Sequence, residues 1–274
     1  MKKVKLIKTP LLTVCIITYN HEKFIKQALD SVLNQITDFE WVILIADDFS
    51  NDNTRKIIAE YKEKYQDKIQ LLLQEKNVGP AQNFTDLIKK PNSKYIAYLE
   101  GDDYWIDKHK LQEQINFLEI NQNFSLVHTN VIALENGEET YPPLLKPWNS
   151  SNSEADLEFG LQRPLAFSGT TVFRKIDFNF FLNKKYKNVR AGDWAFWVIL
   201  LLFGNAKFLN KPTAVYRIGV GVSLNKDWRK NFLDSAIFLF DLCIKAPKLN
   251  QKKILFKWAL QYFIQYLKVK KRKI

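Results

Sequence analysis

The chain has 274 residues, 46% apolar and 26% charged, which excludes a disordered protein and leaves room for one large domain plus an appendage. Its formal charge of +12 is uneven: residues 226–274 hold thirteen Lys/Arg against three Asp and residues 1–8 add four lysines, leaving a middle of 24 basic and 26 acidic residues. A core without positive bias excludes a nucleic-acid platform, whereas basic ends suit an anionic membrane surface or an acidic partner.

Two cysteines, Cys15 and Cys243, give no disulfide framework and point to a reducing compartment. The opening MKKVKLIKTP lacks an apolar block of signal-peptide length, and the apolar run from Trp194 to Phe203 is too short to span a bilayer. A cytoplasmic location is expected.

In chain order, Leu12 to Tyr19 (LTVCIITY) reads as a buried strand, and His21 to Gln35 carries Phe24, Ile25, Ala28, Leu29 and Val32 at helical spacing. Trp41 to Ala46 predicts a strand, Asp52 to Tyr65 a helix, Ile69 to Leu73 a strand, Pro80 to Lys89 a helix and Tyr95 to Leu99 a strand. Such alternation implies an α/β protein, a mainly parallel sheet flanked by helices, with ligands bound outside the carboxyl ends of the strands. Beyond Asp103 the pattern loosens. Lys108 to Leu118 reads as a helix, Ser125 to Leu134 as a strand, Glu135 to about Asp156 as a polar loop, and Ser168 to Arg174 as a strand. A helix from Asp193 to Phe203, a strand from Thr213 to Ile218 and a helical end from Asp227 to Lys268, broken near Pro247, complete the chain.

The strand ends gather polar residues that should share one rim: Thr18-Tyr19-Asn20, Asp47-Asp48, Asn77 with Gly79, and Glu100-Gly101-Asp102-Asp103. Three carboxylates in four residues repel one another unless a cation or substrate compensates, and a hard divalent metal holding diphosphate oxygens uses one or two carboxylates. A nucleoside diphosphate is a leaving group whose departing charge such a metal neutralises. Taken alone, the Glu100–Asp103 segment is equally a solvated acidic turn, and Asp47-Asp48 an Asx turn with Asp52 capping a helix. Two acid pairs at equivalent strand ends, with a glycine turn at Asn77-Val78-Gly79, outline a pocket for a base, a ribose and a diphosphate.

Thr18-Tyr19-Asn20, then Asp47 to Thr54 (DDFSNDNT), then Asn77-Val78-Gly79 with Asn83, then Glu100 to Trp105 (EGDDYW), stand in the order and spacing of glycosyltransferase family 2. The resemblance covers residues 11–225 and implies a GT-A fold, Rossmann-like, with the nucleotide-binding half over about 11–105 and the acceptor half over about 106–225. Residues 226–274 form a basic amphipathic C-terminal helical extension outside it. By this resemblance Thr18, Tyr19 and Asn20 look like the loop around the base, and Asp47 or Asp48 like the acid on base or ribose. Asn77 and Gly79 look like the turn closing over the nucleoside. Asp102 and Asp103 look like the DXD element, with Asp103 the direct ligand of Mn²⁺ or Mg²⁺ and Asp102 nearer ribose or donor sugar. Glu100 replaces the more usual first aspartate. An inverting transfer needs a base for the acceptor hydroxyl, and Asp193, ahead of an apolar helix, is similar to the family's acidic motif that supplies it; the same residue also suits an ordinary N-cap. Gly219 stands where similar sequences have a histidine, leaving a diphosphate contact to Arg217, Ser223 or a tail lysine.

His21, His109 and His128 lack metal-ligand spacing and read as structural. From Lys252 to Val269 the polar residues Lys253, Lys257, Gln261, Gln265 and Lys268 form a narrow stripe on an otherwise apolar helix. That surface must be covered by the chain's own core, by an anionic membrane met through residues 252–273, or by a second subunit. The expected partners are therefore a nucleotide sugar, with UDP the commoner expectation, and a glycan or lipid-linked glycan acceptor, without nucleic acid. Two other readings stand beside the transferase: a nucleotidyltransferase, which should show a glycine- and basic-rich phosphate loop where this chain has Ile17-Thr18-Tyr19-Asn20-His21-Glu22, and a non-catalytic sugar- or membrane-binding module.

Overall fold

The computed structural model describes residues 9–140, 153–162, 165–181, 192–220 and 228–269. Strands β1 (Leu12–Thr18), β2 (Trp41–Asp47), β3 (Ile69–Leu73) and β4 (Tyr95–Glu100) pair in parallel in the order β3-β2-β1-β4, linked by helices α1 (Ile25–Leu33), α2 (Thr54–Lys64) and α3 (Pro80–Ile88). β1, β2 and β4 are apolar without alternation because helices cover both faces, and Leu12, Val14, Ile16, Ile43, Ile45, Ile96 and Leu99 are fully buried. α3 begins at Pro80 directly after Gly79, whose φ of 83° lies in the left-handed region.

The sheet continues past β4 as β9-β6-β10-β5, where β5 is Tyr104–Trp105, β6 is Phe124–Glu135, β9 is Val172–Arg174 and β10 is Asn205–Arg217. This half is mixed: β9 is antiparallel to β4 and β6, β10 is parallel to β6, and β5 is antiparallel to β10. The mainly parallel expectation thus describes the first four strands. Short strands β7 (Glu138–Thr140) and β8 (Glu154–Ala155) flank residues 141–152 of the expected polar loop, which lie outside the described residues. Helices α4 (Lys110–Ile120), α5 (Leu157–Gln162), α6 (Phe178–Phe181), α7 (Gly192–Leu201), α8 (Trp228–Lys245) and α9 (Leu249–Val269) complete the fold.

The short elements β5, β7, β8, α5 and α6 are not anticipated by the sequence, and two anticipated elements differ from expectation. Ser168–Thr170 is a 3₁₀ turn rather than strand, because the Thr170 and Thr171 hydroxyls donate to the Phe167 and Ser168 carbonyls and compete with the ladder. β10 begins at Asn205, far ahead of Thr213, and accommodates Pro212 at register shifts against β6, where a missing N–H is tolerated.

α7 is apolar all round because the sheet lies on one side and α8 and α9 on the other. Trp194 meets the rings of Phe238 and Tyr262 at 6.0 and 5.6 Å and donates its indole N–H to the Gly160 carbonyl at 3.0 Å. Phe196 packs against Phe84, Phe173 and Phe178 at 5.1, 5.1 and 5.4 Å, joining the helix to the sheet. Among the described residues no helix is long and apolar enough to cross a membrane.

Candidate active site

Register places the polar strand ends together. Thr18 is level with Asp47 across β1 and β2, Asp47 with Leu73 across β2 and β3, and Ile17 with Glu100 across β1 and β4. The expected common rim is therefore formed.

The two loops after β1 and β2 are tied to one another. Asn20, at a φ of 55°, donates its N–H to Ser50 Oγ at 2.9 Å and accepts from the Asn51 N–H at 2.9 Å. The His21 N–H donates to Thr54 Oγ1 at 2.8 Å, the Glu22 N–H to Asp52 at 3.0 Å, and the Asn53 N–H and side-chain amide to Glu22 at 2.9 Å. Tyr19 is half-buried beside them.

Asp47 has no exposed surface, and its oxygens accept from the Ser50 N–H and hydroxyl and from Arg55 Nε. Arg55 also donates to the Gln74 carbonyl at 2.5 Å, so Asp47 is committed to shaping the loop. Asp48 accepts the N–H groups of Val78 at 2.7 Å and Gly79 at 2.9 Å and fixes the Asn77–Gly79 turn over the rim. Burial raises the Asp48 carboxyl, opposed by those two N–H donors. Asn77, exposed, accepts from the Gly79 N–H at 3.2 Å, while buried Asn83 holds the Ala46 carbonyl at 3.1 Å from beneath.

At the end of β4, Glu100, Asp102 and Asp103 each offer an oxygen within 4.8 Å of the others. Burial, then Asp102, raises the Asp103 carboxyl to about 8, opposed by the Arg217 N–H and charge. Glu100 stands well above the carboxylate range through burial first and then Asp193, Asp103 and Asp102. The trio therefore carries repulsion that Arg217 offsets only in part, and an all-oxygen set of this kind fits a hard divalent cation. Gly101 is required by crowding: a Cβ there would lie 2.9 Å from His21 Nδ1 and 3.0 Å from Thr18 Oγ1. Those two atoms are themselves buried and without a hydrogen-bond partner.

Arg217, at the end of β10, braces this loop. Its N–H donates to Asp103 at 2.8 Å, its guanidinium to the Asp102 carbonyl and, at 2.6 Å, to Gln27, and the same group packs on the rings of Phe24 and Tyr104 at 4.9 and 4.7 Å. The diphosphate contact expected of Arg217 competes with these bonds; Ser223 lies outside the described residues. Asp193, in the first turn of α7, is exposed and accepts from the Ser168 hydroxyl at 3.0 Å. Ser168 belongs to the 3₁₀ turn that packs on β4, so a residue far along the sequence is brought towards the strand-end acids.

Sequence reasoning missed three contributors. His21 has Nε2 3.8 Å from Asp102, with a proton affinity lowered by burial and opposed by Asp102, Asp52 and Asp47. Ser168 lies in a segment whose composition predicts a strand, and the spacing of Phe24 marks only a helix face. Only the adjacency of His21 to the Thr18–Asn20 motif could have signalled its place.

The family model for glycosyl transferase family 2 matches residues 13–181. The chain belongs to this family. Its fold is the GT-A type expected of a family 2 member, with the sheet flanked by helices. The family 2 chain is 30% identical over 213 residues to an uncharacterised protein of Mycobacterium tuberculosis, covering 75% of this chain and 58% of that one. It is 30% identical over 167 residues, 57% of this chain and 64% of the other, to Escherichia coli WfgD, a UDP-Glc:alpha-D-GlcNAc-diphosphoundecaprenol beta-1,3-glucosyltransferase. It thus spans less than two thirds of either relative. Staphylococcus aureus TarS 1–349 in complex with UDP-GlcNAc superposes with a TM-score of 0.66 at 19% identity, over 92% of this chain and 72% of that one.

Proposed function

We propose that this family 2 protein is an inverting, metal-dependent glycosyltransferase that moves a sugar from a UDP-sugar to a hydroxyl of a glycan or lipid-linked glycan acceptor, in surface polysaccharide or lipooligosaccharide synthesis. The observation that carries the proposal is the gathering of three carboxylates within 4.8 Å of one another at the end of β4, with Asp193 from the second half of the chain held by the 3₁₀ turn that packs on that strand. The nature of the donors bound by WfgD and TarS supports the choice of UDP. The division of labour follows the sheet: residues from about 11 to 105 hold the donor and from about 106 to 225 the acceptor, with 226–274 a basic helical extension.

Thr18, Tyr19 and Asn20 border the base, Asp48 holds the Asn77–Gly79 turn over the nucleoside, and Asp47 keeps the loop between them in shape. Asp103 and Asp102 hold Mn²⁺ or Mg²⁺, which when bound neutralises the charge of the departing diphosphate. Ser168 occupies Oδ2 of Asp193 and leaves Oδ1 for the acceptor. As the acceptor oxygen bonds to the anomeric carbon, its proton passes to Asp193 and the bond from that carbon to the diphosphate oxygen breaks with its electron pair. Attack opposite the leaving group inverts the centre.

A binding panel of UDP-, GDP-, TDP- and CMP-sugars with and without Mn²⁺ tests the donor site. Metal-dependent affinity for one nucleotide class, weakened at least about tenfold in Asp103→Asn, is expected. Asp193→Asn should keep that affinity and lose about 10²–10⁴ in turnover. Absence of nucleotide-sugar binding by the folded protein would overturn the proposal.

A further inference from the structure

α9 turns only one face to the core. Leu255, Ala259 and Tyr262 are buried against α5, α7 and α8, while Phe256, Leu260, Phe263 and Leu267, spaced by four, three and four positions, lie in a row that is 53, 44, 37 and 46% exposed. α8 extends the row sideways: Ile237 and Ile244 are 48 and 78% exposed, and Phe240 touches the Phe256 ring at 5.8 Å. Ordinary packing, one of the three coverings open from sequence, thus accounts for the inner face alone.

The charges around the row decide what covers the rest. Lys253, Lys257 and Lys268 stand exposed beside it, α9 contains no Asp or Glu, and no acidic residue follows Asp241 in the chain. A second copy docked along the row would bring Lys253 and Lys268 against lysines, and the neighbouring carboxylate, Glu158, already pairs with Lys257 at 3.5 Å. Anionic lipid supplies both an apolar layer for the Phe and Leu side chains and opposite charge for the lysines at their edge.

We propose that this face of the α8–α9 hairpin docks on an anionic bilayer, with α9 in the plane of the headgroups. The docking stands apart from the transferase proposal; its use does not. Tyr262, next to Phe263, contacts Trp194, the residue after Asp193. Seating the row in lipid therefore holds the head of α7 close to the headgroup layer, where a lipid-linked acceptor presents its sugar.

Sedimentation of the full chain with phosphatidylglycerol-rich vesicles and with pure phosphatidylcholine vesicles, at low and high salt, tests the proposal. Binding to the anionic vesicles at low salt is expected, reduced by salt and reduced at least about tenfold in the double variant L260E/F263E, whose positions are exposed and whose melting temperature should stay near that of the parent. Parent protein that stays in the supernatant overturns the proposal. Undiminished binding by the variant overturns it too, because the lysines after Val269 would then suffice without the row. A dimer in solution that L260E/F263E dissociates, without vesicle binding by the parent, would reassign the face to a second copy. Donor binding is read on the same samples without vesicles, so failure of docking and failure of the transferase proposal are separable.

Discussion

Arg217 holds Asp103 by its backbone and Asp102 by its guanidinium, so its removal should act on the acids rather than on a substrate atom. Arg217→Met is expected to weaken metal-dependent donor binding about tenfold or more, and Arg217→Lys to restore little, because a compact ammonium cannot donate to two partners while lying flat on Phe24 and Tyr104. Isothermal titration with the nucleotide sugar and Mn²⁺ reads both. Ser168→Ala should lower turnover about tenfold with donor affinity unchanged, since the hydroxyl orients only Asp193; an equal loss in both constants would deny it that role. Lys110 is a different case. Fully buried, it donates to Gln114 at 2.8 Å, lies over the Trp105 ring at 4.3 Å, and burial brings its proton affinity down to about 7. A lysine depressed in the folded state binds fewer protons there than in the unfolded chain, so stability should rise with pH from about 7 towards 10.5. Lys110→Met is expected to raise the melting temperature at neutral pH and to give less benefit near pH 10, as measured by thermal melts across that window.

Among the elements, strands β1, β2 and β4 were legible because each is a continuous apolar run closed by a polar rim residue, and parallel register made those rim residues converge without further information. The second half was harder for physical reasons. The threonines of Ser168–Thr171 have strand propensity but spend their hydroxyls on nearby carbonyls, and Pro212 hides the first part of β10 from a pattern search. Asp193 was legible as the acid before an apolar helix; its Ser168 partner was not, since only packing brings the 3₁₀ turn against α7. Gly101 shows how tightly the β4 end is built. Gly101→Ala pushes a methyl group against His21 and Thr18, and should shift the Asp102–Asp103 loop, cost about 1–3 kcal/mol of stability, read as a lower melting temperature, and depress donor binding.

On the scale of the whole molecule, the unfavourable concentration of charge at one rim should make stability depend on what fills it. In the metal-free protein the folded state of Asp103 binds a proton more tightly than the unfolded state, so its contribution to stability falls as pH rises through the window from the ordinary carboxylate range to about 8. Thermal melts at the alkaline end should therefore rise on adding Mn²⁺, and Asp103→Asn should melt higher than the metal-free parent and no longer respond. A different consequence follows from where the brace comes from. Arg217 reaches Asp102 across a separation of 115 residues, on a strand that must pair with β6 and β5 before its end can arrive. During synthesis the first four strands and their helices are out of the ribosome while the acids of β4 have no anchor, and non-local pairing of this kind is slow to form. The nascent chain would thus carry the β1–β4 rim for some time before its acids are braced, so the proposed transferase activity should appear as a late, abrupt step in a timed translation.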